Sequence, residues 1–156
     1  MALIDEVEIS VRGGNGGNGC ISFRREKYIP FGGPNGGNGG RGGSVILRST
    51  TEKGSLLDFK YQPKFEGERG EHGMGSDCDG RSGKDRILPV PVGTLVYDQG
   101  TTSLLADLSK PGMEFIAAKG GKGGRGNKSF VSSTNRAPRK ATPGEKGEAF
   151  PLKLEL

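Results

Sequence analysis

Residues 119–129, KGGKGGRGNKS, follow the apolar run MEFIAA (113–118), and a glycine-rich turn that ends in lysine and serine holds the ingredients of a phosphate-binding loop. That loop requires G-x-x-x-x-G-K-[ST], in which backbone N–H groups cradle phosphates and the lysine reaches them. Counted from Gly121, the sixth position is Gly126, but Asn127 stands before Lys128 and Ser129 and displaces the lysine. FVSSTNRAPR, which comes next, does not begin an apolar helix whose N-terminus could receive an anion. DCDG (77–80) resembles a piece of a calcium loop but lacks the third ligand before the glycine and the terminal glutamate. His72 is the only histidine, so acid–base or metal schemes that need two have no candidate. Cys20 and Cys78 are isolated, without CxxC or Cys/His ligand spacing, and read as reduced thiols. The expectation is a chain with no catalytic residues, no metal site and no cofactor of its own.

Binding is the better prospect. The net charge is +5, and the cations cluster. Arg24, Arg25 and Lys27 lie with Phe23, Tyr28 and Phe31; Arg81, Lys84 and Arg86 form a second group; Lys128, Arg136, Arg139 and Lys140 form a third with Phe130. Cations beside aromatic rings suit phosphate contact and base stacking on structured RNA, provided the clusters meet in space.

Something must position them, and the chain has 30 glycines with which to do it. Glycine recurs every third residue at Gly13, Gly16 and Gly19; at Gly33, Gly36, Gly39 and Gly42; at Gly67, Gly70 and Gly73; at Gly120, Gly123 and Gly126; and at Gly144 and Gly147. Several tracts double the pattern, as with Gly37, Gly40 and Gly43. A period of three matches the polyproline II helix, which has no internal hydrogen bonds. Two glycine edges let such a helix meet two neighbours at backbone distance, so that N–H and C=O groups pair between helices. The third edge carries Asn, Lys, Arg or Glu and can face solvent. Tracts of two to four triplets are too short for a long collagen-type triple helix, and a bundle of short segments from one chain fits better. The competing reading is a flexible RNA-binding or scaffold segment of the RGG type, for which GGRGG (39–43) is the best evidence.

Between the tracts the pattern is β-strand. VEISVR (7–12), SVILRS (44–49), MEFIAA and FPLKLEL (150–156) read as strands. LPVPVGTLVYDQGTTSLLADL (88–108) reads as two strands around a turn at Asp98-Gln99-Gly100, with Pro89 and Pro91 suited to a sheet edge. No window of ten residues carries a helical stripe. The expected fold is all-β, one domain over 1–156, with a glycine bundle projecting from a β-barrel or sandwich base and loops FRREKYIPFG, SDCDGRSGKD and NKSFVSSTNRAPRK at or beside it. MALIDEVEIS is too acidic for a secretory leader, and ILPVPV is far too short to span a bilayer. A cytoplasmic protein with no membrane contact is expected.

DEVEISVRGGNGGNGCISFRREKYIPFGGPNGGNGGRGG, LLDFKYQPKFEGERGEHGMG, PVGT, AAKGGKGGRGN, TNRAPRKATPGEKGE and the closing LKLEL together resemble the glycine-rich N-terminal domain of the Obg (CgtA) family of GTPases, over essentially the whole chain. The resemblance implies polyproline II-type helices on a β-barrel base, with a GTPase domain following in cis, outside this chain, that would use GTP and magnesium. It implies a monomer acting on the large (50S) ribosomal subunit and its RNA, in assembly and in growth and stress control. It also implies that basic loop tips insert toward the peptidyl-transferase region. Carried over to this sequence, the first tip corresponds to Arg24, Arg25, Lys27 and Tyr28, and the third to Asn135, Arg136, Ala137, Pro138, Arg139 and Lys140. Arg81 and Lys84 would mark a second tip, although the aspartates beside them repel phosphate.

Overall fold

A computed structural model describes residues 5–25 and 32–156. The strands are β1 (Glu6–Arg12), β2 (Val45–Thr50), β3 (Lys64–Glu66), β4 (Arg86–Pro91), β5 (Thr94–Asp98), β6 (Leu104–Leu108), β7 (Glu114–Ala118) and β8 (Ala149–Glu155). One sheet has the order β3-β1-β8-β5-β6, the other β4-β2-β7. Alternation along the strands sends Ile9, Val11, Val45, Leu47, Leu88, Val90, Val96, Leu152 and Leu154 into one buried core between them. The base is therefore all-β and made of two sheets. The proline-bearing β4 lies at a sheet edge, as expected.

The stretch 88–108 departs from expectation, because it yields parts of three strands rather than two. Gly93, at φ +93°, turns the chain between β4 and β5, and those strands join different sheets. The turn at Asp98 is present, its carboxylate accepting the Gly100 N–H at 2.7 Å. The short helix α1 (Leu57–Tyr61) and strand β3 carry no periodic signal of their own; their Phe59 and Phe65 rings pack edge to face at 5.6 Å.

Three excursions leave the base and return to it, and their glycine-rich parts run side by side. Segment I (13–19) leaves β1 and segment II (36–43) returns to β2; segment III (67–75) leaves β3 and segment IV (79–85) returns to β4; segment V (120–126) leaves β7 and segment VI (142–148) returns to β8. Segment I donates to II through Gly14 N–H to Gly43 O and Gly17 N–H to Gly40 O, both at 2.8 Å. Segment II donates to III through Gly40 to Glu71 and Gly43 to Glu68, and III donates back to I through Gly70 to Asn15 and Gly73 to Asn18. The same circular donation links I, VI and V through Gly16 to Glu145, Glu145 to Lys122 and Gly121 to Gly14. Within GGRGG, Gly39, Gly40, Gly42 and Gly43 all donate to other segments, which is packed structure rather than a free RGG tail.

The glycines serve this packing by what they lack. Among the described glycines only Gly93 and Gly112, both outside the bundle, have positive φ. A β-carbon on Gly13, Gly16, Gly36, Gly39, Gly42, Gly70, Gly73, Gly120, Gly123 or Gly126 would overlap a neighbouring carbonyl oxygen. Gly33 is a correction, since a methyl there meets nothing among the described residues.

Two further corrections concern the polar residues. GRSG is not part of a loop tip: Gly80 and Gly83 donate to Asn38 O and Arg41 O, which makes 79–85 a segment of the bundle. Nor does the third edge only face solvent: Asn15, Asn18, Arg41 and Lys122 are exposed there as expected, yet several of its polar side chains also bond between segments. Asn15, Asn18 and Asn38 accept through Oδ1 from the N–H groups of Gly147, Gly144 and Gly126, and Ser44 Oγ accepts from Gly120. Asp79, Asp85, Thr142, Glu148 and the His72 Nδ1 accept from other segments in the same way.

Gly36→Ala and Gly123→Ala must push two backbones apart and should each destabilise by about 3 kcal/mol or more, the upper range for overpacking. Asn38→Ala, which strands the Gly126 N–H, should destabilise by roughly 1–2 kcal/mol. Gly33→Ala and Lys122→Ala should leave the melting temperature nearly unchanged. Equal melting temperatures across the set would contradict carbonyl-on-glycine packing.

Candidate nucleic-acid interface

The register of the segments fixes which loops meet. Segment I runs antiparallel to II and VI and parallel to III and V, so the turns after I, III and V lie at the same end, about 20 Å from the strands at roughly 3.1 Å per residue. At that level Cys20 N–H donates to Gly37 O, Asp77 N–H to Asn35 O and Asn127 N–H to Cys20 O.

Asn127 joins two of the loops. It is fully buried. Its Oδ1 accepts from the Gly36 N–H (2.9 Å) and the Ser22 N–H (3.4 Å), while its Nδ2 donates to Ser22 O (2.9 Å) and Pro138 O (3.1 Å). One amide thus uses both donors and both lone pairs, which ties the start of the first loop, the entry to segment II and the third loop into one unit. Pro138 is buried with it, and Arg136, Arg139 and Lys140 around it are exposed. The Arg139 guanidinium lies 5.4 Å from the centre of the Phe23 ring, and the Lys140 ammonium lies 5.1 Å from that of Phe130. Each ring steadies a cation without neutralising it.

Expected site residues divide accordingly. Arg24 and Arg25 are exposed on the first loop, close to Phe23, and Arg24 N–H is held by Gly33 O. Lys27 and Tyr28 lie outside the described residues. Asn135 Oδ1 accepts the Ala137 N–H at 3.2 Å, so its side chain shapes the turn that presents Arg136. Arg81 and Lys84 are corrected: they sit on segment IV, below the tip, where their carbonyls accept from Glu71 and Glu68, and Arg81 pairs with Glu71 at 3.0 Å. The actual second turn is 75–78, with Ser76 and Asp77 at positive φ. Asp77 binds Lys128 at 2.9 Å, and that hydrogen bond, with the attraction of the carboxylate, raises the lysine pKa.

The near-match to a phosphate loop resolves at the same place. The residue that breaks its spacing is Asn127, and the chain continues from it as a single 3-10 turn, Asn127–Phe130, instead of an α-helix. His72 serves the bundle through Nδ1. Among the described residues no group of three His, Cys, Asp or Glu could hold a metal ion, and no helix is long and apolar enough to cross a membrane.

The family model described as GTP1/OBG matches residues 4–156. The chain belongs to that family. It is 56% identical over 154 residues, 99% of its length, to the GTPase Obg of Acidobacterium capsulatum, of which it covers 45%. It is 54% identical over 156 residues to the GTPase Obg of Chlorobium phaeobacteroides, covering all of this chain and 48% of that one. With the GTPase Obg of Myxococcus xanthus it shares 56% identity over 156 residues, again its whole length and 32% of the relative. The GTP1/OBG chain therefore spans a third to a half of the length of these curated relatives.

Asn127→Ala strands the Gly36 N–H and the Pro138 carbonyl in a buried place and should destabilise this GTP1/OBG domain by about 2–4 kcal/mol. Asn127→Asp keeps the acceptor for Gly36 but loses both donors, and should melt between the two. A melting temperature of Asn127→Ala equal to that of the parent would show that the two loops are not joined through this amide.

Proposed function

We propose that this chain is the N-terminal ribosome-docking domain of an Obg-type GTP-binding protein, and that it contacts large-subunit ribosomal RNA through the end of its glycine bundle, near the peptidyl-transferase region. The observation that carries the reading is the junction at Asn127, which holds two chain-distant loops together, with Arg139 over Phe23, Lys140 over Phe130, and Arg24, Arg25 and Arg136 exposed on the same two loops. Exposed guanidinium and ammonium groups neutralise backbone phosphates, and a guanidinium plane offers stacking to unpaired bases. The bundle supplies a stiff arm that reaches into a folded RNA, and it holds its cations in place before the encounter, which lowers the ordering penalty on binding.

The parent protein on this reading is a cytoplasmic, monomeric P-loop GTPase acting in 50S assembly and in growth and stress control, with its GTP and magnesium site in cis outside this chain. Lys128 and Ser129 do not substitute for it. The lysine is occupied by Asp77, and Asn127 is committed to the loop junction. Calorimetry on this chain should show no saturable GTP binding; binding that is lost in Lys128→Ala would overturn that assignment.

The docking itself is tested by salt. Alanine at Arg24, Arg25, Lys27, Arg136, Arg139 and Lys140 should weaken binding to purified large subunits by orders of magnitude and flatten its salt dependence, since each phosphate contact contributes roughly 0.7–0.9 to the log–log slope. Alanine at Arg12, Lys53, Lys60, Lys64, Lys110 and Lys153 removes the same charge from the base. Lys53 and Lys153 pair there with Asp58 and Glu6, so folding of both variants is verified first by melting. Equal losses of affinity in the two would mean diffuse electrostatics and no docking tip.

A further inference from the structure

The third edges of the segments form side-chain ladders, and one ladder has a missing rung. Along the groove floored by segment II and walled by IV and V, Asn38 Oδ1 accepts the Gly126 N–H and Ser44 Oγ accepts the Gly120 N–H, at 2.9 and 3.0 Å. Opposite, Asp79 Oδ1 accepts the Asn38 N–H and Asp85 Oδ1 accepts the Ser44 N–H, both at 2.8 Å. The repeat of three places Arg41 midway on the floor, Gly123 midway on one wall and Ser82 midway on the other. Arginine has no acceptor to offer Gly123, and serine there makes no bond to the Arg41 backbone. Neither the Gly123 N–H nor the Arg41 N–H has a partner among the described residues, and the Arg41 guanidinium forms no ion pair with any of them.

We infer that this gap is a phosphate-contact site, at which the two backbone N–H groups, the Arg41 guanidinium and the Ser82 hydroxyl receive a backbone phosphate of RNA. The inference rests on the docking reading above and extends it, since it carries the RNA contact from the tips down one flank of the bundle. All four groups are donors, they share one register position, and no acceptor for the two N–H groups is supplied among the described residues. Arg41, Ser82, Asp85, Ser44, Ile46 and Ile116 line one open cleft there, so a ligand can enter. Asp79 and Asp85 are the opposing charges, one register step to either side, and one oxygen of each is already taken, by the Asn38 and Ser44 N–H groups. Arg41 lies about 15 Å along the segment from Gly36 at about 3.1 Å per residue, on the way from the tips to the base. RNA is favoured over a free anion because the site is open and lies on the flank of the arm that carries the cationic tips. A fork-shaped guanidinium beside fixed N–H groups matches a phosphate with two free oxygens.

Arg41→Asn separates this role from a structural one, because asparagine supplies at position 41 the acceptor that Asn38 supplies one turn earlier. The variant should melt at the same temperature as the parent or higher. It should bind a short RNA duplex and the large subunit about tenfold more weakly, the scale of one charge-assisted contact, with the salt slope reduced by about one. In the labelled parent, the Gly123 and Arg41 amide resonances should move on adding the duplex; in Arg41→Asn they should not. Arg41→Lys, which keeps the charge without the fork, should fall between. Unchanged RNA affinity in Arg41→Asn would overturn the inference, as would amides that respond to inorganic phosphate but not to the duplex. The two readings fail separately. If the tip variant binds subunits normally while Gly123 still senses the duplex, the docking tips fail and the groove stands; if the tip variant loses binding and Arg41→Asn does not, the groove fails and the tips stand.

Discussion

The structure depends on a carbonyl oxygen standing where a β-carbon would be. At Gly17 it is the Glu71 oxygen, at Gly39 the Gly17 oxygen and at Gly120 the Gly42 oxygen. That approach is possible only for glycine, and it lets extended segments with no internal hydrogen bonds satisfy one another. Cohesion in this half of the molecule comes from backbone hydrogen bonds and close packing rather than from burial of large side chains. The apolar residues are collected instead in the two-sheet base, whose strands fix the spacing and direction at which every segment leaves and returns.

That division of labour accounts for how a chain so poor in large apolar residues can hold loops far from its core. A long loop ordinarily gives up much conformational freedom when it meets a partner. Here the loops begin and end on paired segments and are joined to one another by Asn127, so their cations are displayed by a scaffold that already exists. Phe23 and Phe130, which a core would have buried, lie beneath Arg139 and Lys140 and present them outward.

Much of this is legible in the sequence because its cause is local. Glycine at every third residue follows directly from the requirement for a bare edge, and the alternation in VEISVR and FPLKLEL follows from the pleat of a strand with one buried face. Segment IV is hidden because its glycines, Gly80 and Gly83, form a single triplet step among charged residues, and nothing local distinguishes that from a polar loop. The break at Gly93 is hidden because the run LPVPVGTLVY is apolar on both sides of it, while the turn is a matter of φ. The roles of Asn38, Asp79 and Asp85 depend on which segment lies alongside, which only the register decides. Asn127 is visible as the residue that spoils a phosphate loop; its partners at Ser22, Gly36 and Pro138 are far away in the chain or across a turn, and their meeting is tertiary information. The clustering of cations is legible, and the sorting of Arg81 and Lys84 away from the tips is not.

Native-state hydrogen exchange, read glycine by glycine, tests the central claim most directly, because the paired N–H groups belong to residues that would exchange within seconds in a flexible tract. The amides of Gly14, Gly17, Gly40, Gly43, Gly121 and Gly124 should be protected to nearly the global stability of the fold, on a par with β1 and β8, while Gly54, outside the bundle, exchanges quickly. Fast exchange at all of the bundle glycines, with protection confined to the strands, would contradict the account and reduce the glycine tracts to loops on a β base.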